Sequence, residues 1–247
     1  MIGTYQFANV GVSIDSLHED VHRLCEDYRS DSPVELCVCT KQEDIDYERE
    51  KSEVADAAAG RSVRQFSDGY LETLAVYRKI AEAMPARDTI LMHGSCVAVG
   101  GKAYLFCAPS GTGKSTHVSL WRELLGGRAV VVNDDKPLVY TGEGGATAFG
   151  TPWDGKHRLS VNAAFPLRAI CMIDRADKNS IERVQPAEIY PMFMRQVYRP
   201  SGPTALVCTL RLMDCLMSTV DLWWLHCNKD IEAARVSYTA MVGEGLD

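Results

Sequence analysis

Basic excess is the first thing this sequence lacks. Its 26 Lys and Arg stand against 33 Asp and Glu, a net charge of −7, so no cationic field exists to hold nucleic acid or an anionic membrane surface. No apolar run approaches the roughly 20 residues needed to span a bilayer. The first residues carry no basic stretch ahead of an apolar core, so no signal peptide is expected. None of the nine cysteines forms a C-x-x-C pair; Cys37 and Cys39 make only a C-x-C. Scattered thiols in odd number, several inside apolar runs (Cys107, Cys171, Cys208, Cys215), read as reduced cysteines rather than a disulfide frame or a zinc site. These absences predict a cytoplasmic protein. Its 247 residues suffice for one full-sized core, or one core with a small appendage.

The pattern along the chain is α/β. "FANVGVSI" reads as a strand, and "SLHEDVHRLCEDY" as a helix with Leu17, Val21, Leu24 and Tyr28 on one face. "VELCVCT" is a second strand. Residues 41–66 are charged and weakly periodic, a solvated helix or an ordered loop, and 67–84 form an amphipathic helix behind a Ser/Asp cap. "TILMHGSCVAV" and "KAYLFCA" flank Gly100-Gly101 as a glycine hairpin. A helix over 115–125 follows, then "RAVVV", apolar enough for a strand buried on both faces. A hairpin in "KPLVYTGEGGATAFG", a strand at 167–174, helices near 186–196 and 203–218, the strand "DLWWLHC" and a last helix complete the reading. The division expected is an N-terminal α/β portion over 1–87, packed on a core over 88–247.

The strongest signal is "FCAPSGTGKSTH", residues 106–117. Walker A demands G-x-x-x-x-G-K-[ST] between a strand and a helix, and Ala108 to Ser115 meet it everywhere but at the first glycine. Gly111 and Gly113 let backbone N–H groups turn inward as an anion nest, and the helix start adds unpaired N–H groups and a positive dipole end. Ser110, Gly111, Thr112, Gly113, Lys114, Ser115 and Thr116 are therefore the expected nucleotide contacts. Lys114 would reach the β- and γ-phosphates, and the Ser115 hydroxyl would bind Mg²⁺.

Other phosphate-loop classes lack support. Asn228-Lys229-Asp230 does not have the N-K-x-D spacing of a GTPase, and neither an "LSGGQ"-type loop nor a protein-kinase set occurs. His18-Glu19-Asp20-Val21-His22 has the H-E-x-x-H form of zinc proteases, but it reads as an exposed helix with two surface histidines.

Asn133-Asp134-Asp135 follows the "AVVV" strand, where a sheet delivers loop residues to a site at its edge. Phosphoryl transfer needs one carboxylate for metal and another for the acceptor's proton, though Asn-Asp runs also simply make turns. The order "MHGSCVAVGGKAYLFCAPSGTGKST…AVVVNDDKPLV" resembles the catalytic core of the HPr kinase/phosphorylase family. "SGTGKST" with Asp-Asp is also similar to the nucleotide site of ATP-dependent phosphoenolpyruvate carboxykinase. The likeness is close over 88–157 and loose beyond, and "LWRE", "NDDKP" and "GTPWDGK" resemble short HPr-kinase-like proteins.

That resemblance implies a P-loop core with a mixed sheet. It implies Asp134 as base toward the acceptor hydroxyl, Asp135 as metal ligand and His93 as an active-site histidine beside the phosphates. The family's glycine-arginine signature is missing from "MFMRQVYRPSGPTALV". "GTPWDGK" stands at the substrate-facing position, with Lys156 toward the transferred phosphate or an acidic acceptor and Trp153 as a wall. The expected activity is ATP- and Mg²⁺-dependent transfer of the γ-phosphoryl group to a hydroxyl, on a peptide serine or a small molecule. The alternatives are a nucleotide-sensing partner protein without acceptor and a carboxykinase-like lyase. No nucleic-acid or membrane partner is expected; ATP against GTP, the acceptor and a homo-oligomeric state stay open.

Overall fold

The structure is a computed structural model in which residues 1–155 and 157–243 are described. The chain divides into two compact units, Met1–Ala83 and the part from Met84 onward.

The first unit is a three-stranded sheet, β1 (Ile2–Phe7), β2 (Val10–Asp15) and β3 (Val34–Cys39), with helices α1 (Glu19–Leu24), α2 (Gln42–Ala58) and α3 (Asp68–Ala83). The expected single strand over "FANVGVSI" is instead a hairpin: Ala8 and Asn9 both take positive φ, 48° and 65°, and turn β1 back antiparallel onto β2. An apolar, β-rich run hides such a turn because alanine gives no turn signal. The helix expected over 16–28 is shorter than its pattern, and Leu17 is exposed. Its start is held from outside: the buried Glu72 carboxylate of α3 accepts the backbone N–H groups of Leu17 (2.6 Å) and His18 (2.7 Å), and a hydrogen bond from Thr40. A carboxylate at a helix N-terminus satisfies orphan donors and complements the dipole.

His22 is not a surface residue as expected. It is buried, with Nδ1 2.6 Å from the Tyr5 hydroxyl and Nε2 2.9 Å from that of Ser16, while His18 lies at the N-cap outside the helix. Both imidazole nitrogens are thus committed to structure. The charged 41–66 segment folds largely as α2, whose Asp44 and Glu48 bind Arg78 of α3 at 3.2 and 2.6 Å.

The second unit opens with β4 (Thr89–Leu91), β5 (Ser95–Val99) and β6 (Lys102–Cys107), then α4 (Lys114–Leu125), β7 (Val130–Asn133), β8 (Leu138–Tyr140), β9 (Thr147–Phe149), β10 (Ala164–Arg175) and β11 (Ser180–Arg183). Helices α5 (Pro186–Met194) and α6 (Pro203–Thr219), strand β12 (Asp221–Cys227) and helix α7 (Ile231–Val242) follow. Among the described residues its nine strands form one mixed sheet. Strands β6, β10 and β12 run parallel, while β5 lies antiparallel between β6 and β7. The C-terminal ends of β6, β7, β10 and β12 therefore share one edge with the start of β5, which is where open α/β sheets place ligands.

Alternation along the central strands feeds two cores. Ala103, Leu105 and Cys107 of β6, with Ile170 and Met172 of β10, meet Phe193 of α5 and Leu212 and Leu216 of α6. Tyr104 and Phe106, with Ala169 and Cys171, meet Val118 and Trp121 of α4 and Tyr238 of α7. This three-layer arrangement explains why "KAYLFCA" reads as apolar throughout: both faces of the strand are covered. "AVVV" is covered on both faces as expected, with Val131 in the core of α4 and α7 and Val132 in the opposite one, although β7 ends the sheet order and its first residue, Val130, is 37% exposed.

The glycine hairpin forms as read. Gly100 and Gly101 have φ of 57° and 74°, the paired left-handed turn that matches strand twist. All nine cysteines are free, although Cys215 is exposed and Cys208 half-buried rather than sealed in the core. Among the described residues no helix is long and apolar enough to cross a membrane.

Trp121 fills the centre of the α4–α7 core, where its Nε1 donates to Ser237 Oγ at 2.8 Å and His117 Nε2 lies 2.9 Å from the same oxygen. Ser237→Ala should cost about 1–3 kcal/mol, since it strands two buried polar groups. Denaturant unfolding measures this; an unchanged midpoint would show that the hydroxyl contributes nothing.

Candidate functional site

The loop 108–113 leaves β6 at the shared edge and enters α4 directly. Gly111 and Gly113 have φ of 79° and 132°, and a Cβ built on either would meet nothing within 4 Å. Glycine is required there by backbone conformation, not by crowding. Lys114 is buried and folds back, Nζ donating to Ala108 O at 2.9 Å, and burial pulls its pKa down. Arg175, at the end of β10, grips the same loop: its guanidinium donates to Thr112 O at 3.1 Å and to Gly111 O. No sequence signal marks Arg175. The register Met172↔Cys107 carries β10 three residues past β6 and sets it beside the loop.

The second half of the site is the turn after β7. The fully buried Asn133 amide donates to Thr151 O and Thr151 Oγ1, both at 3.1 Å, while its Oδ1 accepts the N–H groups of Asp135 (2.8 Å) and Lys136 (2.5 Å). Asp154 Oδ1 accepts the N–H groups of Asp134 (3.1 Å) and Gly155 (2.6 Å), and its Oδ2 that of Ser160 (2.8 Å). Gly155 passes so close that a Cβ would sit 2.9 Å from Asp134 Oδ2. The 150–155 segment is thus bound to the acidic turn. The sequence marks Asn133 as part of that turn but gives its amide no role, and it does not single out Asp154. An Asn ahead of paired aspartates, with Thr and Asp some twenty residues on, is the available signal.

Loop and turn face each other across a cleft of about 440 Å³, lined by His93, Ser110, Gly111, Gly113, Lys114, Ser115, Thr116, Ser119, Asp134, Asp135 and His157. Of the described residues that the sequence singles out, only Thr112 and Trp153 are not in that wall. Thr112 faces a neighbouring cleft. Trp153 is buried and, contrary to expectation, is not among the residues that line this cleft. Lys156 lies outside the described residues. Ser119 and His157 are additions; Ser119 follows from helical spacing, one turn after Ser115.

Asp134 is 7% exposed, and its Oδ1 has no hydrogen-bond partner among the described residues. Burial, above all, lifts its carboxyl above the usual carboxylate range; the Ser95 and Ser115 hydroxyls pull the other way, and Asp154 and Asp135 add to the rise. His93 sits with Nε2 3.4 Å from Asp135 Oδ1. Burial, helped by Lys136 and Lys114, pushes it down to about 4, so at neutral pH it is an uncharged imidazole.

The donor set is tested by its chemistry. Mg²⁺ takes oxygen ligands, keeps several waters and relies on one or two carboxylates together with substrate phosphates. The Ser115 hydroxyl and the Asp134 and Asp135 carboxylates fit that requirement, and the unpartnered Asp134 oxygen wants a cation or a proton. Among the described residues no group of three His, Cys, Asp or Glu side chains converges as a self-sufficient metal cage.

No protein-family model matches the chain, and no curated protein matches it. Forty-five chains of solved structures do. One is the Hpr(Ser) kinase/phosphatase from Coxiella burnetii, at 9% identity and a TM-score of 0.27, covering 50% of this chain and 88% of that one. Similarity at that level supports no inference about reaction or ligand.

A raised Asp134 pKa means that the folded chain holds its proton to higher pH than the unfolded chain does. The stability linked to that proton is present below the unfolded value of about 3.9 and is lost as pH rises through the folded one. Asp134→Asn should therefore raise the unfolding temperature at pH 7–8, by roughly 2–4 °C for each kcal/mol relieved. The gain should disappear near pH 3. A lower unfolding temperature at pH 7–8 would contradict the direction.

Proposed function

We propose that the protein is an ATP- and Mg²⁺-dependent phosphotransferase that moves the γ-phosphoryl group to a hydroxyl of a peptide or small molecule. One observation carries this reading: a glycine-built loop with a buried lysine faces, across one cleft, a buried carboxylate oxygen that has no hydrogen-bond partner among the described residues.

The loop amides and the first turn of α4 suit the β- and γ-phosphates. Lys114 needs only to exchange the Ala108 carbonyl for a phosphate oxygen, a stronger charge-assisted partner. Asp134 takes the proton of the acceptor hydroxyl as its oxygen bonds to the γ-phosphorus. The bond to the β-phosphate oxygen then breaks, and its electron pair leaves with the nucleoside diphosphate. A carboxyl lifted toward working pH is better matched to that task than an ordinary one. Neutral His93 can donate to a phosphate oxygen without adding charge. Ser115 and Asp135 would hold Mg²⁺, which when bound neutralises charge on the phosphates. Lys156 is assigned to the acceptor side on its chemistry, an ammonium suited to an anionic group.

Lys114→Ala should weaken ATP·Mg²⁺ binding by about 10- to 100-fold, the value of a lost charged hydrogen bond. Calorimetry reads this, and near wild-type affinity would remove the phosphate-loop assignment. Asp135→Asn should weaken metal-dependent ATP binding. Asp134→Asn should leave affinity largely intact and lower turnover by roughly 10²-fold or more. Equal losses of affinity in both variants would make both aspartates metal ligands, and absence of transfer to any hydroxyl would leave a nucleotide-sensing protein.

A further inference from the structure

A second cleft, of about 420 Å³, adjoins the first. The two share Gly113 and Thr116 in their walls. On α4, Ser115 and Ser119 line the phosphate cleft, whereas His117 and Leu120 line the second. Its remaining walls come from the ends of two parallel strands: Ile173 to Asp177 at the end of β10, and Cys227 to Lys229 after β12. This is again the carboxyl edge of the sheet.

We propose that this second cleft receives the base and ribose of the nucleotide whose phosphates occupy the first; the inference rests on the phosphotransferase reading of that first cleft. A nucleoside triphosphate is anionic at one end and flat, largely apolar, at the other. The protein presents the matching pair in the matching order. The phosphate cleft has hydroxyls, amides and Lys114. The second cleft has an apolar surface from three separate elements, Leu120, Ile173 and Cys227, against which a ring can lie. Its volume falls within the roughly 300–1,000 Å³ of small-molecule sites.

Polar groups stand where a nucleoside needs them. Asp177 is exposed in the cleft wall and its carboxylate accepts no hydrogen bond among the described residues, so it is available to an exocyclic amino group or to ribose hydroxyls. The exposed Lys229 can lay its aliphatic stem over a ring. The His117 imidazole in the wall is deeply buried with Nδ1 unpartnered. Arg175 lines this cleft while holding the carbonyls of Gly111 and Thr112, so an occupant would touch the same arm that shapes the phosphate loop.

Asn228, in contrast, is spent on its own turn. Its amide bonds Asp177 O and Asp230, and its Oδ1 accepts the Asp230 N–H. It shapes the rim and does not read the base.

The test compares ATP·Mg²⁺ with tripolyphosphate·Mg²⁺, a ligand with phosphates but no nucleoside, by calorimetry on the whole protein. Wild-type protein should bind ATP at least about tenfold more tightly than tripolyphosphate. Ala176→Trp places an indole at the cleft wall; it should weaken ATP by about tenfold or more and leave tripolyphosphate unchanged. Asp177→Ala, an exposed position that folding tolerates, should give a smaller loss for ATP only and decides the matter if the tryptophan variant fails to fold by circular dichroism. Equal affinity of the two ligands for wild-type protein, or losses shared equally by both ligands in the variants, would overturn the nucleoside cleft while leaving the phosphate cleft standing. If tripolyphosphate does not bind at all, the phosphate cleft falls, and this inference with it.

Discussion

The Asn133 amide joins the two segments that make up the acidic side of the candidate site. Fully buried at the end of an edge strand, it has four hydrogen-bonding sites to satisfy, and it satisfies them on Thr151 ahead and on the N–H groups of Asp135 and Lys136 behind. A buried amide left unpaired costs more than one never present, so turn and loop are bound to each other or both are destabilised. Asp154 repeats the arrangement from the other side, accepting from Asp134, Gly155 and Ser160. The outcome is a carboxylate whose backbone is fixed while one side-chain oxygen is left without a partner. The backbone around it is held by hydrogen bonds while that oxygen is left open to a ligand.

That distribution follows a general economy of functional sites, in which a locally unfavourable group persists because the surrounding structure over-determines its position. Here the surroundings are a sheet covered on both faces. The α4–α7 core pins α4 through Trp121, His117 and Ser237, and α4 carries Lys114 and Ser115 at its first turn. The opposite core, with α5 and α6, fixes β10 and β6 in register. Both clefts therefore open at an edge whose strands cannot slide without turning every side chain to the wrong core. The first unit shows the same habit on a smaller scale, where the buried Glu72 carboxylate starts α1 in place of a local cap.

The local elements were legible because they depend on local rules. The glycine hairpin at 100–101 needs paired left-handed residues, and only glycine takes them freely. The phosphate-loop candidate announces itself by two glycines and a lysine ahead of a helix, and α3, α4 and α7 by apolar spacing. Where local rules mislead, tertiary context prevails. "FANVGVSI" reads as one strand because Ala8 takes a left-handed turn that its side chain does not advertise. His22 reads as exposed because no pattern in the helix reveals that Tyr5 and Ser16 wait beside it.

The residue types of the candidate site, and the order in which they occur, belong to the sequence alone: Lys114 and Ser115 after the glycines, Asp134 and Asp135 after a strand. Their convergence belongs to the tertiary structure. Only the antiparallel insertion of β5 between β6 and β7 sets the acidic turn opposite the phosphate loop, and only the overhang of β10 brings Arg175 and Asp177 beside α4. Spacing along a chain encodes periodicity within an element. Which strand edges pair, and how far one runs past the next, is settled by burying two apolar faces at once, and that choice is made by the whole sheet together.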